Sequence, residues 1–320
     1  MNKKQKILLI GTTITIILVI AFIGLFSASL PDNDKIKVVA TFYPLAFLSQ
    51  QIGGDNIEVT QLVPSNTEIH SWEPSASHIL AAENADLIVF NGAGLDHWLE
   101  DDVLTALSSN KKRAVVDTTH GLDLLMGEEQ EHEEHSGEEE HEHGLYDPHT
   151  WVSPYMAKLQ AQKICDSLVQ IDPQHESYYT QRWQALEAKL AGLDENYTML
   201  LSNARKDAVF VSHKAFGYLA SRYGFEQHGV IGLSADEQPS ATTIANLVST
   251  MKEHKIYAVF VDPVYSNKYT ETIKTEVQAQ TGHAVTVLEL YLMLGESDGL
   301  DLLEQMQVNL DSLKVGLEAT

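Results

Sequence analysis

Short apolar runs recur along the chain between turn residues, and their lengths and composition predict β-strands. Ile36-Lys-Val-Val-Ala reads as a buried strand ending in a turn at Tyr43-Pro44, and Ile57 to Val63 alternates as a second that stops at Pro64. Asp86-Leu-Ile-Val-Phe and Ala114-Val-Val-Asp continue the series, with helical spacing from Ser75 to Glu83. The second half repeats the style. Ala208-Val-Phe-Val-Ser, Ile256 to Val261 before Asp262-Pro263, and Ala284 to Leu290 read as strands, and Lys214 to Tyr223 as a helix stopped by Gly224. Continuously apolar strands alternating with helices predict parallel sheets covered on both faces.

Asp172-Pro173 supplies an N-cap and first turn, after which Tyr179, Trp183, Leu186, Leu190, Leu193, Tyr197 and Leu200 recur at three and four, to about Arg205. Roughly thirty helical residues would span about 45 Å, enough to cross both halves. The predicted fold is α/β: two Rossmann-like lobes with parallel-sheet cores, joined by one long rigid helix. The expected boundaries are a leader and linker over 1–34, a first lobe over 35–171, the helix over 172–205 and a second lobe over 206–320.

Lys3, Lys4 and Lys6 precede an apolar run from Ile7 to Phe26, broken only by small or hydroxyl residues. That is a membrane-length segment with a positive flank. Ser27-Ala28-Ser29 offers a cleavage site, so anchoring and release both stay open, and either puts the remainder outside the cytoplasmic membrane. Cys165 is the only cysteine, so no intramolecular disulfide forms and an N-terminal lipid anchor is not expected. The net charge of −24 argues against a nucleic-acid partner. Nine of the acidic residues fall between Glu128 and Glu142, interleaved with His132, His135, His141 and His143 just beyond. With no apolar residue, that stretch cannot pack and reads as a solvated loop.

The candidate chemistry lies in three histidines within separate motifs: His70 in EIHSWEPS, His149 in YDPHTWVSP and His213 in VSHKAFGYL. His213 follows a strand directly, His70 follows a strand and turn, and His149 sits in a loop feeding the helix that opens at Ser153-Pro154. Loops at the carboxyl ends of strands form the crevice of open α/β sheets, so a cleft between lobes would collect all three. Three converging imidazoles make a metal site, and Zn²⁺ suits nitrogen-rich, low-coordination ligation.

These motifs resemble those of the cluster A-I solute-binding proteins, the metal-binding subunits of ABC-type zinc or manganese importers. The correspondence runs in order through His70-Ser-Trp72-Glu73-Pro74-Ser75, Asp147-Pro148-His149-Thr-Trp151-Val-Ser153-Pro154, Ser212-His213-Lys-Ala215-Phe216-Gly-Tyr218 and Gly232-Leu-Ser234-Ala-Asp-Glu237-Gln-Pro239-Ser240. The resemblance implies that His70, His149 and His213 are metal ligands with a carboxylate as fourth, Glu289 first and Asp262 second. Glu73, Asp147 and Ser212 adjoin these histidines and either orient an imidazole or simply cap their loops. The acidic loop with His132, His135, His141 and His143, an insertion that zinc-type members share, is expected to collect zinc weakly or to sense excess metal, with an inert loop as the other reading. A histidine at 213, where manganese importers tend to carry glutamate, favours zinc. The implied partners are Zn²⁺ and a membrane permease, with a monomeric protein that is not an enzyme. Metal affinity is expected to fall through about pH 6.5, and the long helix to keep lobe motion small.

Two other functions compete. A zinc hydrolase would use similar donors, but the sequence has no HExxH pair, and a filled set of four protein ligands would leave no open position. A surface adhesin finds no separate support in repeats or aromatic clusters.

Overall fold

The computed structural model describes residues 35–127, 145–233, 239–265 and 268–320. In chain order the elements are β1 (Ile36–Ala40), α1 (Tyr43–Gly53), β2 (Ile57–Gln61), α2 (Ala76–Asn84), β3 (Leu87–Phe90), β4 (Ala114–Asp117), α3 (Pro154–Ile171), α4 (Glu176–Leu201), β5 (Ala208–His213), α5 (Gly217–Tyr223), β6 (Glu226–Ile231), α6 (Ala241–His254), β7 (Ala258–Val261), α7 (Lys268–Thr281), β8 (Thr286–Glu289) and α8 (Leu302–Gly316). They build two four-stranded sheets of order β2-β1-β3-β4 and β6-β5-β7-β8, every pairing parallel. Both faces are covered, as the apolar strands predict: along β5, Val209 and Val211 enter the main core, while Ala208 and Phe210 enter a second, smaller one.

Two local expectations are corrected, and one strand is added. Tyr43-Pro44 opens α1 instead of making a turn, because proline in a first helical turn withholds an N–H that has no intrahelical acceptor. The edge strand β6 was not anticipated: Glu226-Gln-His-Gly-Val-Ile buries only Val230 and carries no apolar pattern. The helix expected from Lys214 starts at Gly217, since the Phe216 N–H is taken by Gln227 Oε1 at 2.9 Å. Gly224 closes it at φ +80°, a left-handed cap that glycine adopts without strain.

The long helix runs 26 residues, about 39 Å at ~1.5 Å per residue. Tyr179, Trp183, Leu186, Leu190 and Tyr197 are buried as their spacing requires. Asp172 accepts from the Tyr179 hydroxyl at 2.6 Å and the His175 ring at 2.7 Å. Arg182 Nε donates to the Gln51 carbonyl at 2.7 Å, and the Tyr197 hydroxyl to the Met306 carbonyl at 2.6 Å. One end of the helix is thereby fixed to α1 and the other to α8. No helix among the described residues is long and apolar enough to cross a membrane. The N-terminal apolar run and the loop histidines His132, His135, His141 and His143 lie outside the described residues.

Candidate metal centre

A sheet of this topology opens a crevice where the chain leaves neighbouring strands in opposite directions, here between β1 and β3 and between β5 and β7. His213 is the last residue of β5, His70 stands in the loop between β2 and α2, and His149 immediately precedes the short helical turn Thr150–Val152. The three come together. Each offers a ring nitrogen, and these lie within 4.8 Å of one another. The Nε2 atoms of His70 and His149 are 3.3 Å apart. His149 and His213 are 1 % and 2 % exposed, and His70 is half-buried, so the centre has one open side.

His149 is held on two sides. Its Nδ1 and its backbone N–H both donate to Asp147 Oδ1, at 2.8 and 3.0 Å, which leaves the Nε2 lone pair facing His70. Of the three residues expected to orient a ring, Asp147 does so, whereas Glu73 is exposed and Ser212 is buried in β5. The loop is anchored beneath by a buried amide network that sequence reasoning missed. Asn91 donates to the Pro148 carbonyl at 2.9 Å and accepts from Thr150 at 3.2 Å and Gln160 at 2.9 Å. Buried Asp96 fixes the Asn91 backbone in turn, accepting its N–H at 2.8 Å, and burial pushes the Asp96 carboxyl up to about 6. Isolated Asn and Gln residues carry no periodic signal by which to find such a network.

His213 donates through Nε2 to the Leu233 carbonyl at 2.8 Å, and its buried Nδ1 has no hydrogen-bond partner among the described residues. An unpaired buried lone pair is costly unless a cation or donor uses it. Desolvation, reinforced by the neighbouring imidazoles, pulls His70 down to about 2 and His213 down to about 3. Both are therefore neutral at pH 7, with nitrogen lone pairs free for a metal.

No described carboxylate joins the three rings. Glu289 ends β8, is exposed, and accepts from the Tyr291 hydroxyl at 2.8 Å. Asp262 is 4 % exposed, but its oxygens accept the backbone N–H groups of Val264 and Leu292. Burial, with Glu289 and Glu68 nearby, raises its carboxyl to about 6. The four-ligand sphere invoked against hydrolysis is thus not assembled by the described residues. Glu68, also missed, accepts the His70 backbone N–H at 3.0 Å. Among the remaining histidines, His78 receives the Ser75 backbone N–H, His228 stacks on Phe210 and His283 on Tyr257.

Comparison with known proteins bears on the family and the fold. The family described as zinc-uptake complex component A, periplasmic, matches residues 38–316. The high-affinity zinc uptake system protein ZnuA of Bacillus subtilis is 37 % identical over 286 residues, covering 89 % of this chain and 88 % of that protein. The Zn(II)-bound ZnuA-like domain of Streptococcus pneumoniae AdcA superposes with a TM-score of 0.73 at 29 % identity, over 89 % of this chain and 99 % of the domain. Against whole AdcA, a zinc-binding lipoprotein, the chain spans only 56 % of the length at 33 % identity. The laminin-binding protein of Streptococcus agalactiae, described as both adhesin and metal transporter, gives 0.76 at 28 % identity over 88 % of this chain and 99 % of that one. The chain belongs to the ZnuA family of zinc-uptake binding components.

Proposed function

We propose that the protein captures Zn²⁺ outside the cytoplasmic membrane and delivers it to the permease of an ABC-type importer, with His70, His149 and His213 as zinc ligands. The carrying observation is the convergence of three largely buried imidazoles at the carboxyl edges of two parallel sheets. Three nitrogen donors suit tetrahedral Zn²⁺ better than Mn²⁺, and relatives named for zinc uptake and zinc binding support the same cargo. Glu289 is the stronger proposal for a fourth donor. It is exposed and held by the Tyr291 hydroxyl, whereas both Asp262 oxygens are engaged by backbone. The segment from Glu128 to His143 is proposed as a weak collector of zinc, and the protein as a monomer anchored or released by residues 1–34. The lobes of 35–171 and 206–320 stay docked on the 172–205 helix, so release proceeds through loop shifts at the ligands.

Growth of the parent organism in zinc-chelated medium tests this reading. A strain lacking the protein should recover with the wild-type chain or with added zinc, but not with His149→Ala. Equal recovery with His149→Ala would overturn it.

A further inference from the structure

Beside the imidazoles, one side-chain pair joins the two halves of the chain. Glu68 Oε1 accepts the His70 backbone N–H at 3.0 Å, and Glu68 Oε2 accepts the phenolic hydrogen of Tyr265 at 2.5 Å. Tyr265 stands in the turn after β7, with its ring edge-on to His213 at 5.5 Å between centroids. Buried Asp262 holds that turn. Its carboxylate receives the Val264 N–H at 2.7 Å and the Leu292 N–H, and its carbonyl receives the Tyr265 N–H at 3.1 Å. A single carboxylate therefore connects the backbone of the half-buried ligand in the first half to a phenol leaning on a buried ligand in the second.

We infer that Glu68 and Tyr265 are positioning residues, a clasp across the centre that sets how fast zinc enters and leaves. The inference rests on the zinc-capture reading. An ion reaching rings 1 % and 2 % exposed must displace what covers them, and His70 is the ligand on the open side. Glu68 ties down the His70 loop through a hydrogen bond to a carboxylate, a class stronger than neutral pairs. Other contacts between the halves do not pass through Glu68. Trp151 Nε1 donates to the Leu292 carbonyl at 2.7 Å, and Asn66 Nδ2 to the Glu296 carbonyl at 3.1 Å. Opening the clasp frees the ligand loop while the halves stay docked.

The test is the rate at which the zinc-loaded full chain yields its metal to excess chromophoric chelator in stopped flow. Tyr265→Phe keeps the ring against His213 and removes the phenolic hydroxyl; Glu68→Gln removes the charge. Both should release zinc about tenfold faster, with a smaller change in equilibrium affinity because entry is eased too. The double variant should be no faster than the faster single one, since the Glu68–Tyr265 bond is already lost in each. Tyr223→Phe, which deletes a comparable bond from a phenol to Asp194 at 2.9 Å, should release at the wild-type rate. Wild-type rates in both Tyr265→Phe and Glu68→Gln would overturn the clasp and leave the capture reading standing. A wild-type chain that holds no zinc would overturn both.

Discussion

At Gly217 the centre has no room for a methyl group: a Cβ there would stand 2.4 Å from Asp147 Oδ2. Because the other oxygen of Asp147 holds both the ring and the backbone of His149, Gly217→Ala should push the carboxylate off its partner. Zinc affinity should weaken by about tenfold in a chelator competition, within the range for an outer partner of a ligating histidine; an unchanged affinity would remove Asp147 from the positioning role. The lowered His70 and His213 values carry a pH consequence. Between about 6.5, the ordinary value, and about 3, the unfolded chain binds protons that these two folded rings refuse. The metal-free protein should therefore hold full stability above that window and lose it as pH falls through it. Proton competition at these two ligands is deferred, so any fall in zinc affinity between pH 7.5 and 5.5 should be no more than about tenfold, the share of one ordinary imidazole. That replaces the much steeper fall through 6.5 expected of three ordinary histidines, and a loss of about a hundredfold or more by pH 5.5 would contradict it. At this scale the three histidines that converge and Asp147 were legible because each lies in a distinctive local motif. Asn91, Gln160 and Glu68 were not, because their partners lie far along the chain and only the fold brings them near.

The long helix α4 shows what periodicity can and cannot reveal. Its buried face followed from spacing alone, down to Tyr179, Trp183 and Tyr197. Gly192 lies inside it, and a Cβ there meets nothing within 4 Å. Gly192→Ala should accordingly raise stability by about 0.5–1 kcal/mol, mainly by restricting the unfolded chain, seen as a higher Tm with unchanged zinc affinity. A lower Tm would show that the helix relies on glycine there. Interior strands were legible because parallel sheets bury both faces, as β3 does at all four positions. The edge strand β6 escaped notice because its membership rests on backbone pairing to β5, which polar residues satisfy equally well.

Across the whole molecule, two sheets of matching topology place one histidine of the proposed site at the end of β5 and two in loops of the first half, and α4 bonds to elements of both halves. That arrangement supports capture by loops meeting over a fixed scaffold. It was readable in outline from alternating strands and helices, but the fourth donor was not. Glu289 and Asp262 both sit at the correct edge of the second sheet, and only the structure shows one exposed and the other engaged by backbone. The central claim is tested most directly by a chelator-competition titration of the full chain with Zn²⁺ and Mn²⁺, wild type beside His213→Ala. The account predicts one tight zinc site, much weaker manganese binding, and loss of the tight site in His213→Ala; wild-type zinc affinity in that variant would contradict it.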